Sequence, residues 1–285
     1  MKKIIISTES GADLPLDLVK LHNIYVVPMH VVMDGIDYPD GSIPVTDVYD
    51  YHQRTKKIPS TSATNPKEYE SFFQKINEEN PDCIIINIAY TSKASCTYQN
   101  AAIAAEGNEN IYLVDSLNVS GGNAAVVLKA VELVEKNPNI LPEDLIEEIK
   151  GYVKRTRASF IPGNLEYLKA GGRVSNAAFI GATLLQLKPL IEIVDGQLVG
   201  TKKYRGKMVR VAEEYFNEYI GRYNMDKEQI YFLYSLGLDE KIKKRMVEIA
   251  KEKGFKKITW IQTGCVISTH GGPGAMGIAG FENIQ

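Results

Sequence analysis

The sequence is poor in cysteine. Three thiols, Cys83, Cys96 and Cys265, stand among 285 residues. Their number is odd and no two form a CxxC pair, which argues against a disulfide framework and a structural zinc site and points to a reducing cytoplasm. Long apolar runs are also missing. The apolar opening, Ile4 to Ile6, stops short of the roughly 7 to 15 residues of a signal peptide. Nowhere do about 18 apolar residues run together, as a membrane span requires. A cytoplasmic chain is expected, without membrane insertion and at most in passing contact with a membrane surface. Charge of one sign is lacking too: 33 Lys and Arg face 35 Asp and Glu, for a net charge of -2. No overall basic field draws nucleic acid, so any anion must be caught locally. Nucleotide motifs are absent, since no GKS or GKT follows Gly271 to Gly274 and no GxGxxG follows the first strand.

What is present is ordinary globular composition, 44% hydrophobic and 24% charged, in a chain long enough for one large domain or two of middling size. The N-terminal half repeats short apolar runs, polar loops and helical patterns, the sign of a mainly parallel sheet with flanking helices. Strands are expected at Lys3 to Ser7, Ile24 to Met33, Cys83 to Ala89 and Ile111 to Val114. The Cys83 to Ala89 strand is apolar on both faces, hence central. Asp37 to Gly41 reads as a turn cluster. Ile58 to Pro66 reads as a hydroxyl-rich loop whose Asn65, Pro66 and Glu68 open a capped helix. A long helix is expected over about Gly122 to Lys136. The texture then changes, with the junction near Lys154 to Phe160, which divides the chain into residues 1–157 and 158–285. Lys188 to Val194 and Gln197 to Lys203 flank Asp195-Gly196, a strong hairpin signal. The second half is therefore expected to hold a mixed sheet with helices, and Ala178 to Leu187 reads as an apolar, buried helix. The fold class is α/β, two α/β domains.

In open α/β sheets the loops at the carboxyl ends of the strands converge on one crevice, where helix N-termini favour an anion. Two such loops are rich in hydroxyls, Ser60-Thr61-Ser62 and Ser92 through Thr97, although serine and threonine serve equally as caps and turns. Arg173 sits on the glycine corner Ala170 to Ser175. His270 lies in the loop Ser268-Thr269-His270-Gly271-Gly272-Pro273-Gly274-Ala275, where glycines permit close approach of a ligand. Cys96 is a candidate nucleophile without a visible partner. Asp13, Asp34, Asp37, Asp40 and Asp115 are too dispersed for metal spacing and read as turn and cap residues.

Taken together, IISTESGADLP at Ile5 to Pro15, PSTS at Pro59 to Ser62, ASCTYQNA at Ala94 to Ala101, VDSLNVSGG at Val114 to Gly122, LEYLKAGGRVS at Leu165 to Ser175, LLQLKPLIEI at Leu184 to Ile193 and STHGGPGAMG at Ser268 to Gly277 resemble the DegV family of fatty-acid-binding proteins. The resemblance runs from end to end. It implies a two-domain α/β carrier with a ligand cleft between its domains that holds one long-chain fatty acid, needs no cofactor or metal, has no catalytic residues of its own and presents the acyl carboxylate to a separate ATP-dependent kinase. It also implies carboxylate ligands at Thr61, Ser62, Ser95, Thr269 and His270, with Arg173, Lys203 and Arg205 at the head-group region or kinase docking surface. This chain departs from the family in having Cys96 where glycine is usual, a change expected to alter the loop backbone. A small-carbonyl kinase subunit, of the dihydroxyacetone kinase kind, is the alternative and would need a small polar pocket.

Overall fold

β-branched residues crowd Ile4–Glu9, and such side chains suit the pleated surface of a strand better than a helix. In the computed structural model, which describes residues 2–176, 178 and 187–283, this segment is β1. It continues through α1 (Leu16–Leu21) into β2 (Tyr25–Val27). The expected strand Ile24 to Met33 is not continuous. Pro28 has no backbone donor for a ladder, and beyond it the chain turns into β3 (His30–Met33), which belongs to another sheet. There β3 pairs antiparallel with β4 (Ile36–Pro39) and β5 (Ser60–Ser62). Asp37 to Pro39 are thus strand rather than turn. Asp40 and Gly41 are turn as expected, and the β3–β4 reversal falls on Asp34 and Gly35, both at positive φ. Between β4 and β5 lies α2 (Val45–Thr55), which the sequence reading missed; Val45, Val48 and Tyr51 form its buried stripe.

The capped helix is present as α3 (Pro66–Glu79), with Asn65 and Glu68 forming a reciprocal capping box. After it come β6 (Ile84–Ala89), α4 (Thr97–Ala105), β7 (Ile111–Asp115), α5 (Ser120–Lys136) and α6 (Pro142–Arg155). The first sheet has the order β2-β1-β6-β7 and is parallel throughout, with β6 interior as its apolar faces require. The chain winds outward from β1 to β2 on one side and from β6 to β7 on the other. The strand order therefore reverses between β1 and β6, and a crevice opens beyond their carboxyl ends.

The rest of the chain runs β8 (Thr156–Ile161), α7 (Leu165–Gly171), β9 (Leu187–Val194), β10 (Gln197–Arg205), α8 (Met208–Arg222), β11 (Gln229–Tyr234), α9 (Glu240–Glu252), β12 (Lys257–Gln262), α10 (Cys265–Gly271) and β13 (Met276–Phe281). The six strands form a mixed sheet in the order β10-β9-β8-β13-β11-β12, parallel only between β11 and β12. Asp195 and Gly196 turn the β9–β10 hairpin, both at positive φ. The helix expected from Ala178 to Leu187 lies outside the described residues except for its two ends.

The alanines and valines of α5 let both sheets approach it closely. Ala124 to Val127 and Ala130 share one core with Ile6 and Ile86 of the first sheet and Leu233, Ile261 and Ala279 of the second. A second core beneath α8 and α9 gathers Tyr215, Phe216, Phe232 and Met246.

Candidate functional site

A cavity lies where the first sheet's crevice meets the mixed sheet and α10. Val119, Ala158, Phe160, Ile193, Leu198, Leu233 and Met276 make much of its wall apolar. Thr61, Ser62, Ser95, Arg173 and His270 lie on the same wall, so the structure brings five of the expected residues together.

Thr61 is carried by β5, paired with Val31 of β3. Its hydroxyl lies 2.9 Å from Nε2 of His270, 209 positions away. His270 is not in a loop, as its glycine-rich surroundings suggest, but near the end of α10. That helix is held by caps remote in sequence: Asp13 accepts from Gly264 N–H at 2.7 Å and Asp40 from Cys265 N–H at 2.9 Å. Asp13 also accepts from the Ser120 hydroxyl. The dipole at this helix start is therefore met by the protein's own carboxylates, and burial pushes the pKa of each upward, that of Asp13 well above its ordinary range.

Burial, reinforced by the nearby Arg173 charge, lowers the His270 pKa to about 4. Its ring is neutral at pH 7, able to give one hydrogen bond and accept another. Nδ1 has no hydrogen-bond partner among the described residues, and Gly171 of α7 lies against it. A Cβ at position 171 would stand 2.2 Å from that nitrogen. The Gly171 carbonyl in turn accepts from the Arg173 guanidinium, so arginine, glycine and histidine form one contiguous unit.

Ser95 lies between β6 and α4. Its oxygen accepts from Thr97 N–H at 3.3 Å, as in a serine turn, while the residue lines the cavity. The local turn role and the site position coexist, and the hydroxyl hydrogen remains available to an acceptor. Such a cavity, with hydroxyls, a neutral imidazole and a guanidinium set against apolar residues, can take a ligand with an anionic end and a long apolar body.

The chain matches the model of the DegV family, described as uncharacterised proteins, over residues 3–283. It belongs to the DegV family. A DegV domain-containing protein of Caldanaerobacter subterraneus is 30% identical, with 98% of each chain covered. A protein of Thermotoga maritima described as a fatty acid-binding protein is 28% identical, with 99% of each covered. The solved structure of a DegV family protein from Thermus thermophilus, described by its fatty acid binding, is similar with a TM-score of 0.86 at 28% identity, over 99% of this chain and 100% of that one.

Within this DegV fold, three of the expected residues stand apart from the cavity wall. Thr269 is buried, and its hydroxyl donates back to the Cys265 carbonyl at 2.8 Å, inside its own helix. Lys203 and Arg205 are exposed residues of β10. Their distance along the strand from the wall residue Leu198 is roughly 16 and 23 Å at about 3.3 Å per residue. Cys96 is exposed, with its sulfur 3.8 Å from Asn100 Nδ2. Its φ of -85° and ψ of 7° suit any residue, so the expected change in the loop backbone from cysteine at this position does not follow.

Two residues behind the wall escaped the sequence reading. Glu9 and Tyr69 are fully buried polar groups tied to the ends of the Ser95 loop. The available signal was the polar run Ser7-Thr8-Glu9 at the carboxyl end of an otherwise apolar strand.

Proposed function

We propose that this chain binds one long-chain fatty acid in the cavity and carries it in the cytoplasm to a separate ATP-dependent kinase, which phosphorylates the carboxylate. Residues 1–157 supply Thr61, Ser62 and Ser95 to the head-group site, and residues 158–285 supply His270 and Arg173. The observation that carries the reading is a cavity with apolar walls that the Thr61–His270 pair and Arg173 also line. An ionised carboxylate accepts from the hydroxyls, with the Thr61–His270 pair and the guanidinium nearby. For a tail of about 16 carbons at roughly 0.8 kcal/mol per buried CH₂, the gross transfer gain is on the order of 10 kcal/mol before the costs of association. The tail supplies affinity and the head group fixes orientation.

A small-carbonyl subunit would need a compact polar pocket, and the wall of Val119, Phe160, Ile193, Leu198 and Leu233 is poorly suited to one. In the carrier reading the chain itself turns over no ATP, and the exposed Lys203 and Arg205 belong with Arg173 to the surface the kinase meets. The test is native mass spectrometry of protein purified from bacteria, followed by solvent extraction and mass analysis of the extract. One fatty acid per chain is expected; persistent apoprotein, or a small polar ligand, overturns the carrier reading.

A further inference from the structure

A carboxylate buried at the end of a strand is costly to desolvate, and a strand needing only a packed end would carry an apolar residue at this position. Glu9, the last residue of β1, is nonetheless fully buried. One of its oxygens accepts from Tyr90 N–H at 2.6 Å, and the other accepts from the Tyr69 hydroxyl and from Asn87 Nδ2 at 3.1 Å. Burial raises its pKa, and these three bonds oppose the rise.

The directions of the bonds are mutually consistent. The Ser7 hydroxyl donates to Asn87 Oδ1 at 2.9 Å, which leaves Asn87 Nδ2 to donate to Glu9. Tyr69 gives its only hydrogen to Glu9, so at 2.9 Å its oxygen must accept from the Thr97 hydroxyl. Every chain of donors ends on Glu9, and a side chain that only accepts is required there. A glutamine would set its NH₂ group against one of the three donors.

Both anchors hold the same loop. Tyr90 begins it, Thr97 ends it, and Ser95 lies between them on the cavity wall. Asp115 pins the middle by accepting from Ser92 N–H at 3.2 Å. We propose that Glu9 is the positioning residue of the head-group site: by clamping both ends of the Tyr90–Thr97 loop it aims the Ser95 hydroxyl, and so makes the protein select a carboxylic acid over a neutral lipid head group. The inference rests on the fatty-acid reading of the cavity and names the source of its head-group selectivity.

The test is competitive loading. Full-length parent, Glu9→Gln and Tyr69→Phe are each exchanged against an equimolar mixture of palmitic acid and 1-hexadecanol in detergent micelles, and native mass spectrometry reads the acid-to-alcohol ratio and the total occupancy. The parent should favour the acid. Glu9→Gln should cut that preference about tenfold, the equivalent of one well-placed hydrogen bond, with total occupancy kept. Tyr69→Phe keeps the buried ring and removes the link to Thr97, so it should shift the ratio in the same direction, and it serves if Glu9→Gln does not fold. A general loss of packing would lower acid and alcohol together. Variants with the parent's ratio overturn the role of Glu9, as does a loss of both lipids in step. A parent that takes up neither lipid overturns the reading of the cavity itself, and this inference with it.

Discussion

The Thr91 hydroxyl donates to the carbonyl of Gly196 at 2.9 Å, so the hairpin turn of the mixed sheet rests on the loop that carries Ser95. Thr91 is fully buried. Gly196 has φ +81°, and a Cβ there would stand 2.6 Å from Thr91 Oγ1. Ile193 and Leu198, one on each side of the turn, line the cavity. The contact thus fastens one wall of the tail site to the head-group loop.

Gly196→Ala should loosen that wall. The left-handed backbone and the clash with Thr91 together should cost about 1 to 3 kcal/mol, and bound lipid should exchange faster because the hairpin no longer seats. Thr91→Val, which leaves the carbonyl without its donor, should act in the same direction through an unsatisfied buried group. Isotope-labelled fatty acid exchange, timed by mass spectrometry, reads the effect; parental exchange rates in both variants would show that the hairpin contact does not limit lipid movement.

His270 predicts a pH dependence whose sign is fixed. Its folded pKa of about 4 lies below the ordinary 6.5, so between those values the unfolded chain binds a proton that the folded chain does not. The associated stability is complete above about pH 6.5 and is lost as pH falls toward 4, by no more than about 3 kcal/mol. Urea unfolding of parent and His270→Gln across this range should show a drop in the parent that the variant lacks. An imidazole titration near 6.5 in the NMR spectrum of lipid-free protein would contradict the buried, arginine-flanked setting.

The sequence made the parallel sheet, the Asn65 cap and the Asp195-Gly196 hairpin legible, because each depends on neighbours in the chain. Periodicity and turn chemistry are local. The break at Pro28 was legible in principle but hidden by the β-branched residues on either side. Helix α10 was not: Ser268, Thr269 and the glycines read as loop, and the carboxylates that cap its start come from positions 13 and 40. The roles of Thr269 and Glu9 were invisible for the same reason. Whether a polar side chain faces a ligand, its own helix or a distant loop is decided by tertiary contacts that residue type does not encode.

Asp13 should behave oppositely to His270. Burial holds its folded pKa well above 3.8, so its stability contribution is full below about pH 3.8 and is lost as pH rises toward the folded value. Asp13→Asn keeps an oxygen for Gly264 N–H and can donate to Ser120, with no charge to bury. The variant should therefore gain on the parent in urea midpoints as pH rises above about 4. A difference that stays constant with pH would mean that Asp13 does not change protonation on unfolding.

Gly171 and Gly172 are adjacent glycines with different reasons for being glycine, and substituting each separates them. Gly171 is the last residue of α7, where alanine suits the helix better than glycine, yet its Cβ would stand 2.2 Å from His270 Nδ1. The imidazole must then move, and Thr61 loses its partner. Gly172 has φ +63° and no helix to favour; a Cβ there would meet nothing within 4 Å, His270 included. Gly172→Ala should thus cost roughly 1 kcal/mol of stability with little change in head-group selection. Gly171→Ala should keep its helical content while its preference for fatty acid over fatty alcohol falls about tenfold, the equivalent of one lost hydrogen bond. If Gly171→Ala selects the acid as the parent does, with the His270 resonances unshifted, the close approach of α7 to the imidazole has no part in holding the head group.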